Sequence, residues 1–343
     1  MKRTGIRTLW LLGAAVVAAA AVLAAGCGGA SGASTDTSTP ASATVQVDLV
    51  MDWIPWVLDI PVDVAQAKGF YAQQGLSVHQ TVPATATDGV KLVSTGKSQF
   101  ALYYAPDMVM ALDEGAPLVS VGCLMAHAPV GMAFQPGVTA DSPAVLAGKV
   151  ASVPLIPSTR ASFDSMLAAA GVASDRVTVV DPGFDLVAPL LSGKVYAAAF
   201  TEFGELVEAK MQGQDLTYLD FRAWGTPDYP FLDVITTREF AASSPATVRA
   251  FLTATLEGLS YAAAHPDEAV ALYVKAHPEL EPKLLLAQWK AAVPDLALGT
   301  GGAGRQDAAA WQALAAWMQT SGLLKGAVDL APAVTNDFLP PAK

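Results

Sequence analysis

The chain has 343 residues, 52% of them hydrophobic, and a formal charge of −11 at neutral pH. That length holds two domains of ordinary size. The acidity argues against nucleic acid and against anionic lipid headgroups as partners.

The N-terminus reads as an export signal. Lys2, Arg3 and Arg7 precede an almost purely apolar run over residues 9–25, which ends at Gly26 and Cys27. A basic start, an apolar stretch and small residues at a break predict a secretory signal over residues 1–26. The run is too short and too rich in Ala for a permanent span. Leu23-Ala24-Ala25-Gly26-Cys27 is similar to a lipobox, the segment cut ahead of a cysteine that carries a diacylglyceryl group. Cys27 is therefore the expected lipidation site, and the expected location is the cell membrane, lipid-anchored on its extracytoplasmic face. Residues 27–44 are almost all Gly, Ser, Thr and Ala, with one charge at Asp36, and predict a flexible tether. With Cys27 lipidated, Cys123 has no disulfide partner and reads as a core residue of a strand-like run.

Beyond residue 44 short β-branched runs alternate with helical ones. Strands are predicted over 45–51, 76–82, 99–104 and 118–124, and helices over 61–74, 86–94 and 106–114. The middle repeats the rhythm, with strands over 149–153, 177–180, 195–200 and 216–219. Helices fall between them, the first running to residue 170 with Ser158 or Thr159 as its cap. From Pro245 onward the chain reads as helical almost throughout, over 247–264, 266–276, 282–292 and 306–320. The pattern predicts an α/β protein of doubly wound type with parallel strands. Residues 125–136 and 222–231 contain Pro, Gly and aromatics and read as two crossovers between lobes. Lobe 1 is then discontinuous, 45–130 with 226–343, and lobe 2 is 131–225.

Catalytic groups are scarce. The four histidines, His79, His127, His265 and His277, show no metal-ligand spacing, and there is no cysteine pair, so no metal is expected. His265 and His277 each precede a Pro at a helix boundary and read as solvated, while His127 lies near a crossover. No nucleophile elbow or phosphate-cradling loop is present, and the Gly-rich run 299–304 reads as a loop because no strand precedes it.

Binding residues are easier to find. Asp52, Trp53 and Trp56 directly follow the first predicted strand, and open α/β sheets bind ligands outside the carboxyl ends of their strands. Two indoles and a carboxylate suit a planar heterocycle, although one Trp can equally belong to the core. Tyr103, Tyr104 and Asp107 follow the third strand. Adjacent tyrosines point to opposite faces, so one of the two is expected in the cleft; Asp107 is either a ligand contact or a helix N-terminal acid. Ser158, Thr159 and Arg160 stand where a strand hands over to a helix, a place for an anion or for a cap. Glu202, after another strand, can pair with a ligand amine; Glu205 and Glu208 read as exposed.

These residues resemble a family. Asp52-Trp53-Ile54-Pro55, Ala65-Gln66-Ala67-Lys68-Gly69-Phe70-Tyr71, Gly75-Leu76-Ser77-Val78, Ser94-Thr95-Gly96-Lys97 and Tyr104-Ala105-Pro106-Asp107 are similar to the thiamine-pyrimidine-precursor binding proteins. This is the NMT1/THI5-like group, akin to the nitrate, sulfonate and taurine binders. The likeness resumes at Val248-Arg249-Ala250-Phe251-Leu252 and His265-Pro266-Asp267-Glu268-Ala269, and closes at Thr335-Asn336-Asp337-Phe338-Leu339-Pro340. It implies a type II periplasmic-binding-protein fold, two lobes with a ligand cleft between them, acting as a monomer that delivers a small molecule to an ABC permease without a cofactor. The group usually has Asn after Trp-x-Pro and His a few places later, where this chain has Trp56 and Asp59. That change favours a planar or amine-bearing ligand and disfavours nitrate or sulfonate, for which Arg160 is the one nearby cation. The alternative, a pyrimidine-synthesising enzyme of the same group, is disfavoured by export, by the missing His and by the lack of a cofactor lysine.

Overall fold

The computed structural model describes residues 44–341 apart from 86, 182 and 184. The signal segment, Cys27 and the tether to residue 43 lie outside the described residues.

Alternating apolar residues build the first sheet. β1 (Val45–Val50) leads through a single 3-10 turn, Val57–Asp59, into α1 (Ile60–Ala67) and α2 (Phe70–Gln73). The expected helix over 61–74 is two helices because Gly69 takes φ 74°, a left-handed conformation that a Cβ resists. β2 (Leu76–Thr81), α3 (Asp88–Ser94), β3 (Phe100–Tyr103), α4 (Ala105–Asp113) and β4 (Leu118–Met125) follow.

The chain then enters the second sheet: β5 (Val130–Phe134), β6 (Val150–Ser152), α5 (Pro157–Ala169), β7 (Thr178–Val180), α6 (Val187–Leu191), β8 (Ala197–Thr201), α7 (Glu205–Met211) and β9 (Tyr218–Asp220). It returns to the first sheet as β10 (Leu232–Thr237). The tail is helical: α8 (Arg238–Ser243), α9 (Pro245–Ala264), α10 (Pro266–Ala276), α11 (Pro282–Ala292) and α12 (Ala308–Thr320).

The sheets have orders β2-β1-β3-β10-β4 and β7-β6-β8-β5-β9. The first expected crossover stretch needs correction. Residues 125–136 contain β5, fully paired with β8 from Val130↔Thr201 to Phe134↔Ala197. Just beyond 222–231 lies β10, a strand absent from the expectation. The sheets are also mixed rather than parallel, since β10 runs antiparallel to β3 and β4, and β5 antiparallel to β8 and β9. The reason is geometric. A chain leaving one sheet at its carboxyl end enters the other at the corresponding end, so its first strand there runs backwards.

Each sheet is covered on both faces. Phe100 and Leu102 join a core with α1 and α9 residues such as Val64, Phe251 and Leu259, whereas Ala101 and Tyr103 face Met108, Trp311 and Leu314 of α4 and α12. The period of two along one short strand thus feeds two cores. The second sheet does the same: Met132 and Phe134 pack with Phe163 and Met166, and Ala133 with Leu190 and Phe200. Cys123 is fully buried, as expected of a core residue. Asp233, beside it in the sheet, is also fully buried, and burial raises its carboxyl well above the usual range.

Candidate functional site

The strand directions decide where side chains gather. β1, β3 and β4 end at one edge of the first sheet, where β10 begins; β6, β8 and β9 end at one edge of the second, where β5 begins. Both chain passages between the sheets leave from these edges. They are tied together: His127 Nδ1 lies 2.5 Å from Asp228 Oδ2, and the Ala128 N–H donates to Asp228 Oδ1 at 3.3 Å. Arg222 bonds Asp220 at 2.6 Å and approaches Asp228 at 3.7 Å and Glu202 at 3.9 Å.

Asp52, at the end of β1, is 5% exposed and accepts three hydrogen bonds. Trp56 Nε1–H donates to both its oxygens at 3.1 and 3.3 Å, and the Tyr104 hydroxyl donates to Oδ2 at 2.6 Å. The 3-10 turn after Trp56 buries Asp59, whose Oδ2 accepts from the Trp56 backbone N–H at 3.2 Å and from the Tyr273 hydroxyl at 3.4 Å. Asp59 Oδ1 is buried and accepts no hydrogen bond. Above Asp52 stands an aromatic wall from both lobes. Trp56 meets Phe203, which follows β8, with ring centroids 5.7 Å apart; Phe203 meets Phe231 at 6.3 Å, and Phe231 meets Tyr104 at 5.1 Å. Gln288 of α11 adds a polar tie, donating to the Gly204 carbonyl at 3.3 Å.

Electrostatics follow burial. Removal from water raises the carboxyl of Asp52. It raises that of Asp59 well above the ordinary range, with the charge of Asp52 as the next cause. Tyr104 is raised by burial and then by Asp52. Two touching carboxyls in low dielectric do not both ionise readily.

The other expected residues lie around this centre or apart from it. Tyr103 packs into the core shared by α4 and α12, whereas Tyr104 is the tyrosine that bonds Asp52. Trp53 is half-buried beside Asp52. Asp107 is half-buried on the first turn of α4, and burial pushes it up to about 7. Glu202 sits at the end of β8 with its side chain 53% exposed, raised first by burial and then by Asp295. Ser158, Thr159 and Arg160 belong to α5, on the opposite lobe. The cap of α5 is Ile156, with no side-chain bond, so the capping reading of Ser158 or Thr159 is wrong: Pro157 already starts the helix. Arg160 is bound to Asp164 at 3.0 Å and lines a groove of about 660 Å³ with Trp317 of α12. His277 is also not simply solvated: its Nε2 lies 2.8 Å from Asp63, on α1 next to the site. Glu205 is occupied internally, accepting from the Thr201 N–H and hydroxyl at 2.8 and 2.7 Å.

Phe203, Phe231 and Tyr273 were not anticipated. Phe203 carried the same signal as Trp56, an aromatic just past a strand end. Among the described residues no group of His, Cys, Asp and Glu is arranged to hold a metal ion, and no helix is long and apolar enough to cross a membrane.

Asp107 has a measurable consequence. Its folded-state value of about 7 exceeds the unfolded value of 3.8. The folded state therefore holds the proton more tightly, and the stability this contributes is present below pH 3.8 and lost as pH rises through 7. Asp52, Asp59 and Asp233 act in the same direction. The thermal midpoint is expected to be several degrees higher at pH 5.5 than at pH 8, and Asp107→Asn to shrink that difference. An unchanged pH profile in the variant removes Asp107 from this account.

Comparison with known proteins agrees with this architecture. The chain matches the family model described as NMT1/THI5 like over residues 59–269. It is 29% identical to a formylaminopyrimidine-binding protein of Halalkalibacterium halodurans, across 83% of this chain and 88% of the relative. It is 24% identical to the 4-amino-5-hydroxymethyl-2-methylpyrimidine phosphate synthase THI13 of Saccharomyces cerevisiae, across 72% and 76%. Among solved structures, the alkanesulfonate-binding protein SsuA from Xanthomonas axonopodis pv. citri superposes with a TM-score of 0.67 at 15% identity, covering 86% of this chain and 99% of that one. The fold is that of the periplasmic binding proteins, two α/β lobes with mixed sheets. By its sequence match and by this fold, the chain belongs to the NMT1/THI5-like family.

Proposed function

We propose that the chain is the extracytoplasmic substrate-binding component of an ABC importer, and that it holds a small planar heterocycle, foremost an aminopyrimidine. The observation that carries this reading is Asp52, a buried acceptor at a strand end beneath an aromatic wall drawn from both lobes. Asp52 accepts the ligand's N–H groups, Tyr104 steadies Asp52, and Trp53 and Trp56 offer ring faces. Asp107 and Glu202 supply further acceptors, with Ser158, Thr159 and Arg160 on the far wall. Lobes of 45–130 with 226–343 and of 131–225 close on the ligand about the His127–Asp228 tie, and the permease receives it. The protein works as a monomer.

The pyrimidine named in both the binding-protein relative and the synthase relative supports this ligand class. Binding without catalysis is favoured by Asp59, which stands where the family pattern expects a histidine. A sulfonate or nitrate needs free cations, and Arg160 and Arg222 are both committed to carboxylates. Retention at the membrane rests on the sequence around Cys27, and Cys27→Ala is expected to release the protein into the medium.

Thermal-shift and calorimetric titration with 4-amino-5-hydroxymethyl-2-methylpyrimidine, thiamine and riboflavin test the reading. A stabilising shift and one-to-one binding of the pyrimidine are expected. No response to any pyrimidine overturns the ligand class, and turnover on incubation with pyridoxal phosphate overturns the assignment as a binding protein.

A further inference from the structure

We propose that the cleft takes its aminopyrimidine in the ring-protonated, cationic form, with Asp52 as the anion that pairs with the ring and Asp59 as a neutral carboxylic acid that donates to Asp52. This rests on the reading of the site as an aminopyrimidine pocket and adds the charge state of both sides.

The geometry divides the two acids. Asp52 is ringed by donors: the Trp56 indole and the Tyr104 hydroxyl both point at it. Two donors making three contacts on one carboxylate favour its ionised form. Asp59 is fully enclosed, and its Oδ1 accepts nothing, although Oδ2 takes two weak bonds at 3.2 and 3.4 Å. An oxygen that is buried and without a donor is best satisfied by carrying the proton itself, and the nearby charge of Asp52 favours that form. In this assignment the proton on Asp59 is the third donor to Asp52.

The surroundings do not neutralise Asp52. The groups facing the pair are Asp63 of α1, Tyr104 just ahead of α4, and Tyr273 of α10; Asp107 of α4 acts on Tyr104, and His277 lies behind Asp63 and bonds it. From α11, packed on the same turn, come Gln288 and the buried Trp289, and from the other lobe Phe203. No lysine or arginine bonds either acid among the described residues. One uncompensated negative charge therefore waits at the base of the cleft.

Trp56 marks the place for the ligand. Its N–H is a neutral donor on a half-buried side chain that leans on Phe203 of the opposite lobe. Parting the lobes withdraws Phe203, frees the indole to swing, and opens an acceptor shaped for N–H groups. A 4-aminopyrimidine has a weakly basic ring nitrogen next to donors of the same geometry. Against a desolvated carboxylate its protonated form gains a charge-assisted bond, so binding draws a proton from solvent onto the ring.

The test is isothermal titration of the wild-type protein with 4-amino-5-hydroxymethyl-2-methylpyrimidine at pH 8, in buffers of different ionisation enthalpy. Uptake approaching one proton per ligand is expected, with affinity falling by up to about tenfold per pH unit on the alkaline side. Asp59→Asn, which keeps a neutral donor, is expected to bind within about threefold of wild type with the same uptake; Asp59→Ala, which lacks it, weakens binding about tenfold. Tight binding without proton uptake overturns the charge assignment and leaves the aminopyrimidine reading standing. A large loss in Asp59→Asn makes Asp59 the anion and overturns it as well. No binding of the pyrimidine at any pH fails both readings.

Discussion

Asp52→Asn is expected to lower affinity for 4-amino-5-hydroxymethyl-2-methylpyrimidine about 100-fold or more while the protein stays folded. A buried, hydrogen-bonded charge that loses its partner costs roughly 2–5 kcal/mol, and each 1.4 kcal/mol is tenfold in affinity. Asparagine keeps the shape and one acceptor oxygen, so Trp56 and Tyr104 retain a partner. It removes the charge and adds a donor pointing at the ligand's own donors. Stability should hold or rise slightly, because Asp52 is 5% exposed and its ionised form is penalised by burial. Tyr104→Phe removes one bond to Asp52 and is expected to cost about tenfold or less. Calorimetry on the three proteins gives the ranking. Binding by Asp52→Asn within threefold of wild type would show that the ligand does not use this carboxylate.

The parts of this site that were legible in the sequence share one property: they are local. Asp52, Trp56 and Tyr104 each follow a strand within a few residues, so a rule about strand ends finds them. Their functional geometry is not local. Tyr273 reaches Asp59 across 214 positions, and Phe203 reaches Trp56 from the other sheet. Asp59 reads as a cleft acid beside Trp56; the 3-10 turn brings it back onto the Trp56 backbone N–H and buries it. No spacing rule forecasts that turn, because it depends on α11 packing against it.

The fold shows the same division. The parallel strands β1, β2, β3, β6, β7 and β8 stand out as short, largely apolar runs between helices. The two antiparallel strands do not. β5 carries Gly131, where a Cβ would come 2.3 Å from the Leu219 carbonyl, so the glycine required by the close approach of β9 erases the strand signal. β10 carries Asp233, a fully buried acid where an apolar residue would mark a strand. β5 lies within one expected passage and β10 directly follows the other, so both merged with the irregular segments beside them. The lesson for the site is specific: the residues that join the lobes are the ones whose pattern is least regular, and they include the His127–Asp228 and Arg222–Asp220 pairs.

Trp289→Ala is expected to be the most destabilising of these substitutions, and to weaken ligand binding without touching the ligand. Trp289 is fully buried in α11. Its indole N–H donates to the Ala262 carbonyl at 2.9 Å. Ala262 lies in the last turn of α9, whose final carbonyls have no partner within the helix. The ring therefore fills core space and closes a helix end. Truncating a buried Trp costs about 3–5 kcal/mol, and the orphaned carbonyl adds about 1 kcal/mol. In a chain of this size that lowers the thermal midpoint by about 10 °C or more. Trp289→Phe keeps most of the volume and loses only the bond, so a drop of about 1–2 kcal/mol is expected. The binding effect follows from where α11 leads. It packs on the turn that holds Asp59, and its Gln288 bonds Gly204 of the opposite lobe. Loosening α11 frees both, so affinity for the pyrimidine should fall in Trp289→Ala below the temperature of unfolding, more than in Trp289→Phe. Equal affinity in all three proteins would show that the turn holds Asp59 in place without α11.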